Sequence, residues 1–200
     1  MFNSLKFKVI LFGFIFTFFS SFGQSYFLGL FNSSIREALS ITHGQFGSIY
    51  ASATLCSSLL LIWVGKKIDD VNIFKFAFFV TVLLSFACFF FSRITSVFLL
   101  FIAIFLMRFS GQGMMSHTAS TTISRYFTRT RGRALSISWF GLSSAEFIMP
   151  VLMVYLLTII DWQNLWLIFS ITVLIILPIA SFLLIKNLNL DSREDSDKDI

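Results

Sequence analysis

Two hundred residues of which 56% are hydrophobic and 12% charged, with 28 Phe among them, hold more apolar surface than a soluble domain of this size could hide in one core. The net charge of +5 does not point to nucleic acid, because the basic residues fall in short loops between apolar runs, where they read as topology signals. Lipid is therefore the expected solvent and first partner of the chain.

Lys6 and Lys8 precede the first apolar stretch, which continues past twenty residues without an A-x-A-like cleavage site, so it reads as a retained span rather than a signal peptide. Crossing about 30 Å at 1.5 Å per residue takes about twenty residues. Hydropathy and loop residues place six such spans near residues 9–31, 44–64, 73–92, 97–123, 134–158 and 165–185. The apolar runs are continuous rather than alternating, which excludes a transmembrane β-barrel. The expected fold is an all-α membrane bundle over residues 1–186. An acidic tail follows over 187–200, with Asp191, Glu194, Asp195, Asp197 and Asp199.

With the amino terminus inside, the inner loops carry Lys66, Lys67, Lys75, Arg125, Arg129, Arg131, Arg133 and Lys186, against Arg36 and Arg93 outside. Both ends are thus expected on the cytoplasmic side. Cys56 and Cys88 fall inside apolar runs, with neither metal-site nor disulfide spacing, and read as packing residues. No ATP-binding loop, metal cluster or other cofactor signature is visible in the sequence.

Two charged residues lie deep in the spans, Arg108 in the fourth and Glu146 in the fifth. They sit roughly 16 and 18 Å from the outer ends of their helices, so their depths match. Each such charge costs at least about 3 kcal/mol in isolation. The functional expectation is a central cavity in which Arg108 binds an anionic substrate or pairs with Glu146, and Glu146 takes up a proton; the plainer one is a structural ion pair. Gln112 lies one helical turn beyond Arg108 and Ser116 continues that stripe, while His117 falls on the opposite side with Gly113, Ser120 and Ser124. His117 reads either as a helix-contact hydrogen bond or as a titrating group. Gln24 and Tyr26 are further polar candidates in the first span, and Gly111 and Gly113 are expected to let helices approach closely.

Phe22-Gly23-Gln24-Ser25 echoes Ser110-Gly111-Gln112-Gly113 in the fourth span. Three-helix repeats would put the two in equivalent places. Gly65-Lys66-Lys67-Ile68-Asp69-Asp70 closes the second span and Arg129-Thr130-Arg131-Gly132-Arg133 opens the fifth on the same face. Opposite charges there invite a conformational latch built from Gly65, Asp69, Arg131 and Arg133.

Gly65-x-x-x-Asp69 resembles the loop signature of the major facilitator superfamily, with Asp70, Asn72, Ile73 and Phe74 where that family has basic residues and a Gly. Asn72 can adopt the left-handed turn expected of that Gly. Arg108-x-x-Gly111-x-Gly113 looks like the family's span-four signature, in which the Arg faces the central cavity. Arg131-Gly132-Arg133-Ala134, and Asp161-Trp162 followed by Trp166-Leu167, are similar to bacterial members. The segment from Gly141 to Pro150 lacks the Gly-Pro run of antiporters, which favours uniport or symport.

The resemblance implies two three-helix repeats forming the amino-terminal half of a twelve-helix secondary transporter in the bacterial inner membrane. It implies a small-molecule substrate, such as a monocarboxylate or another organic anion, and a second half supplied by another chain or another copy. The alternatives from other classes are an intramembrane serine enzyme using Ser143 with His117 and a nontransporting membrane partner protein.

Overall fold

A computed structural model describes residues 4–69 and 71–186. Six stretches are long and apolar enough to cross a membrane: Leu5–Gly23, His43–Ile68, Ile73–Phe91, Val97–Tyr126, Arg131–Leu156 and Trp162–Ile185. No strand occurs among the described residues. The acidic tail, Asp70 and the side chain of Asp69 lie outside them.

The first span does not run unbroken to Phe31 as expected. Helix α1, Ser4–Ser20, tightens into a 3-10 turn over Ser21–Gly23, and Gln24 is then extended at ψ 154°. The chain resumes as α2, Ser25–Leu30, and α3, Asn32–Leu39, and α3 ends at Ser40 in the left-handed conformation. Helix α4, His43–Val64, starts on a capping box: Gln45 N donates to Thr42 Oγ1 at 3.2 Å and Thr42 N to Gln45 Oε1 at 2.8 Å. It ends in the 3-10 segment Gly65–Asp69.

Asn72 is not left-handed either, having φ −57° and ψ 124°. Its side chain instead caps α5, Ile73–Phe91, accepting from Phe74 N at 2.9 Å and Lys75 N at 3.3 Å.

The fourth span is α6, Val97–Met107, then a π-helical segment, Arg108–Met115, then α7, Ser116–Tyr126. Helix α8, Arg131–Leu156, and α9, Trp162–Ile185, each carry a proline, Pro150 and Pro178, without ending there. Helix-breaking residues are tolerated at membrane depth where neighbours satisfy the freed backbone groups.

The two sets of three spans meet where span one touches span four and where span three touches span six. Gly23 meets Gly111, the glycines of the two echoed tetrapeptides: a Cβ on Gly23 would lie 2.8 Å from Gly111 Cα, and one on Gly111 2.7 Å from Gly23 N. Spans three and six are joined just as symmetrically, Ser85 Oγ donating to Ser170 O at 2.9 Å and Ser170 Oγ to Ser85 O at 2.8 Å.

Away from these contacts, Gly141 of α8 lies against Phe14 O and Thr17 of α1, and Gly113 against Leu61 of α4. Lipid supplies no hydrophobic drive between helices, so small residues that allow backbone approach carry these contacts. Elsewhere the interior is aromatic. Trp166 stands 4.5 Å from the ring of Phe91, 5.1 Å from Phe31, 5.5 Å from Phe169 and 5.6 Å from Phe27. Such pairs contribute about 0.5–1.5 kcal/mol each beyond burial.

Helices α4 and α8 are the least covered. Leu55, Leu59, Ile62 and Trp63 of α4, and Phe140, Phe147, Val151 and Val154 of α8, are exposed. Ser48, Ser52 and Ser58 on α4 and Ser143 and Glu146 on α8 are exposed as well, so this surface is not uniformly apolar.

Candidate functional site

The two breaks in regular helix lie against each other. Extended Gln24 interrupts span one, the π-helix begins at Arg108 in span four, and Gly23 and Gly111 hold both in contact. Interrupted helices at membrane depth free backbone groups for other partners. Here one such group is used: Arg108 Nη1 donates to Gly23 O at 3.0 Å and to Ser25 Oγ at 3.3 Å. Tyr50 of α4 completes the anchor, its hydroxyl donating to Ser25 Oγ at 2.8 Å and its ring centroid lying 5.4 Å from the guanidinium carbon.

Arg108 is only 8% exposed, yet it borders a cavity of about 220 Å³ lined also by Ser57, Ser58, Leu61, Gln112 and Gly113. Its Nε is buried without a hydrogen-bond partner. The guanidinium is thus anchored through Nη1 while Nε is buried and unpartnered, and the residue borders a cavity shared with Gln112, Ser57 and Ser58. A guanidinium bordering a cavity can make charge-assisted hydrogen bonds, which are roughly twice as strong as neutral ones.

Several sequence expectations meet this geometry differently. Gln112 shares the cavity with Arg108, and Gly113 joins them rather than the His117 side. Ser116 does not continue the stripe into the cavity; it is buried, with its hydroxyl unpartnered. The reason is the π-helix. Its i→i+5 bonding advances each residue by a smaller angle than the α-helix on which the stripe rests.

Arg108 and Glu146 form no ion pair. The guanidinium is held by Gly23 and Ser25, while Glu146 is exposed on α8 within electrostatic range of Tyr26. The buried hydroxyls of Tyr26 and Ser21 lie side by side, with no partner beyond each other. Gln24 contributes through its extended backbone.

His117 makes a helix contact, its Nε2 donating to Gly65 O at 2.9 Å. Arg125 Nη2 donates to Ile68 O at 2.9 Å, so two side chains of α7 hold the Gly65–Asp69 segment. Arg131 and Arg133 are exposed at the start of α8. Sequence reasoning missed Tyr50, Ser25, Ser57 and Ser58. Hydroxyls are cheap enough at membrane depth to go unnoticed, although Ser57 and Ser58 lie in an otherwise apolar run.

A bundle of six spans in two repeats, with interrupted helices meeting beside a buried arginine, is the architecture of a solute carrier. The family model of the Major Facilitator Superfamily matches residues 13–199, and the chain belongs to that family. It is thus a multi-pass membrane protein of a transporter family. No curated protein matches the chain.

Proposed function

We propose that the chain is half of a secondary transporter for a small organic anion of the monocarboxylate type, working by uniport or symport, with a second six-helix half or another copy closing its cavity. The observation that carries the solute class is the anchored but incompletely satisfied guanidinium of Arg108, set among Gln112, Ser57 and Ser58. The exposed face of α4 and α8 supports the need for a second wall. A carboxylate facing lipid at the depth of Glu146 costs about 2.5–3.5 kcal/mol, whereas a water-filled cavity or protein removes that penalty. Glu146, with Tyr26 and Ser21 nearby, is the group we place in proton coupling.

Uptake of labelled lactate, pyruvate and acetate into vesicles bearing the chain, with glycerol as a neutral reference, tests the reading. Saturable anion uptake above that of empty vesicles is expected. Carriage of glycerol with no anion carried would reject it.

We further infer that both ends face the cytoplasm of a bacterial inner membrane, from the basic residues of the Gly65–Asp69 side. Arg131→Cys is then expected to react with an impermeant maleimide only after cells are permeabilised, and Arg93→Cys in intact cells. The reverse pattern would invert the topology.

A further inference from the structure

Span four is pinned at two levels. Arg108 is bonded to Gly23 and Ser25 across the break in span one, and nine residues later His117 is bonded to Gly65 at the end of span two. Between the anchors lies the π-helical segment Arg108–Met115, with Gly111 wedged against Gly23. At the lower anchor the imidazole lies in van der Waals contact with the backbone it holds, a Cβ on Gly65 lying 3.5 Å from His117 Nε2.

A continuous α-helix between these anchors would move as a rod, shifting His117 without turning it. A π segment behaves differently. It is the rarer form, found at functional sites, and it holds a residue more per hydrogen-bonded ring than the α-helix does. Returning one turn to α geometry changes the angular phase of everything beyond it. A change in what Arg108 contacts can therefore be relieved in the π segment and arrive at His117 as a rotation, which breaks or remakes the bond to Gly65.

We propose that His117 is a positioning residue that couples the Arg108 cavity to the Gly65–Asp69 segment, with the π-helix as the joint. The role rests on the transporter reading for its purpose, but it is indifferent to which solute is carried. Two arrangements of one element define the device: π-helical with the Gly65 bond made, and locally α-helical with that bond broken.

The test needs no ligand. Lys67→Cys, an exposed position in the segment, serves as the inner reporter in a Cys56→Ser, Cys88→Ala background reconstituted in nanodiscs, and its maleimide labelling rate is measured. Arg93→Cys in the same background is the outer reporter, on the opposite face. His117→Ala is expected to raise the labelling rate of the inner reporter roughly fivefold, the population change that loss of one hydrogen bond brings. His117→Gln, which retains an N–H donor, should restore the original rate.

Arg108→Gln, remote from position 67, should also raise the inner rate. The double variant with His117→Ala should exceed neither single change, as expected when two residues act through one element. The proposal is overturned if Arg108→Gln leaves the inner rate unchanged, if the two effects multiply in the double variant, if His117→Gln behaves like His117→Ala, or if the outer reporter accelerates in parallel. Anion uptake plays no part in the readout, so failure of the anion reading and failure of the coupling are separately visible.

Discussion

Replacing Arg108 by alanine is expected to weaken binding of lactate or pyruvate by about two orders of magnitude and to reduce uptake to the level of empty vesicles. A hydrogen bond to a charged group contributes about 1.5–3 kcal/mol, and each 1.4 kcal/mol is a factor of ten. The guanidinium can offer such bonds where it borders the cavity while Nη1 stays on Gly23 and Ser25. Arg108→Lys should keep the charge but lose roughly tenfold in affinity. A lysine ammonium cannot hold the Gly23 carbonyl, lie over the Tyr50 ring and present a planar donor pair at once.

A purely structural arginine makes a different forecast. Then Arg108→Ala would lower thermal stability, through the Gly23 carbonyl left without its donor, and leave affinity in the surviving fold unchanged. Measuring affinity and melting temperature on the same samples separates the two. Full uptake by Arg108→Ala would end the anion-site reading.

Gly23→Ala is expected to be strongly damaging. Its Cβ would overlap Met107 O and Gln112 N and lie 2.8 Å from Gly111 Cα, all of them backbone atoms. No rotamer relieves such a contact, so spans one and four must separate. Overpacking a filled interior costs about 1–3 kcal/mol. With only backbone to yield, the upper end applies, lowering the melting temperature by roughly 6–12 °C for a chain of this length. Gly111→Ala should behave alike, because it meets Gly23 N at 2.7 Å.

Gly47→Ala is the comparison. It sits inside α4 with nothing within 4 Å of its would-be Cβ, and helix propensity alone should leave the purified chain unchanged or up to about 1 kcal/mol more stable. Equal melting temperatures for Gly23→Ala and Gly47→Ala would contradict the close approach of spans one and four.

The predicted effects of Arg108 and Gly23 meet at one place, where the two interrupted helices touch. The echoed tetrapeptides around Gly23 and Gly111 mark that place in the sequence, and the fold explains the echo: the two glycines touch and each makes room for the other. Four residues of resemblance carry little weight by themselves. Contact between them gives the resemblance its physical cause.

Composition and hydropathy determined that the chain is helical, crosses the membrane six times and holds Arg108 and Glu146 at depth. Those properties follow from the amount and order of apolar side chains, which a linear reading counts directly. The family, too, was legible in Gly65-x-x-x-Asp69 and Arg108-x-x-Gly111-x-Gly113, and the family match agrees.

Only the tertiary structure decided that span one breaks at Gln24, that Arg108 opens a π-helix, that it bonds to Gly23 rather than to Glu146, and that His117 holds Gly65. A break in a helix is stabilised by a partner from another span, and no local pattern announces that partner. Once the backbone departs from 100° per residue, the face a side chain occupies depends on the departure, so Gly113 lines the cavity and Ser116 does not.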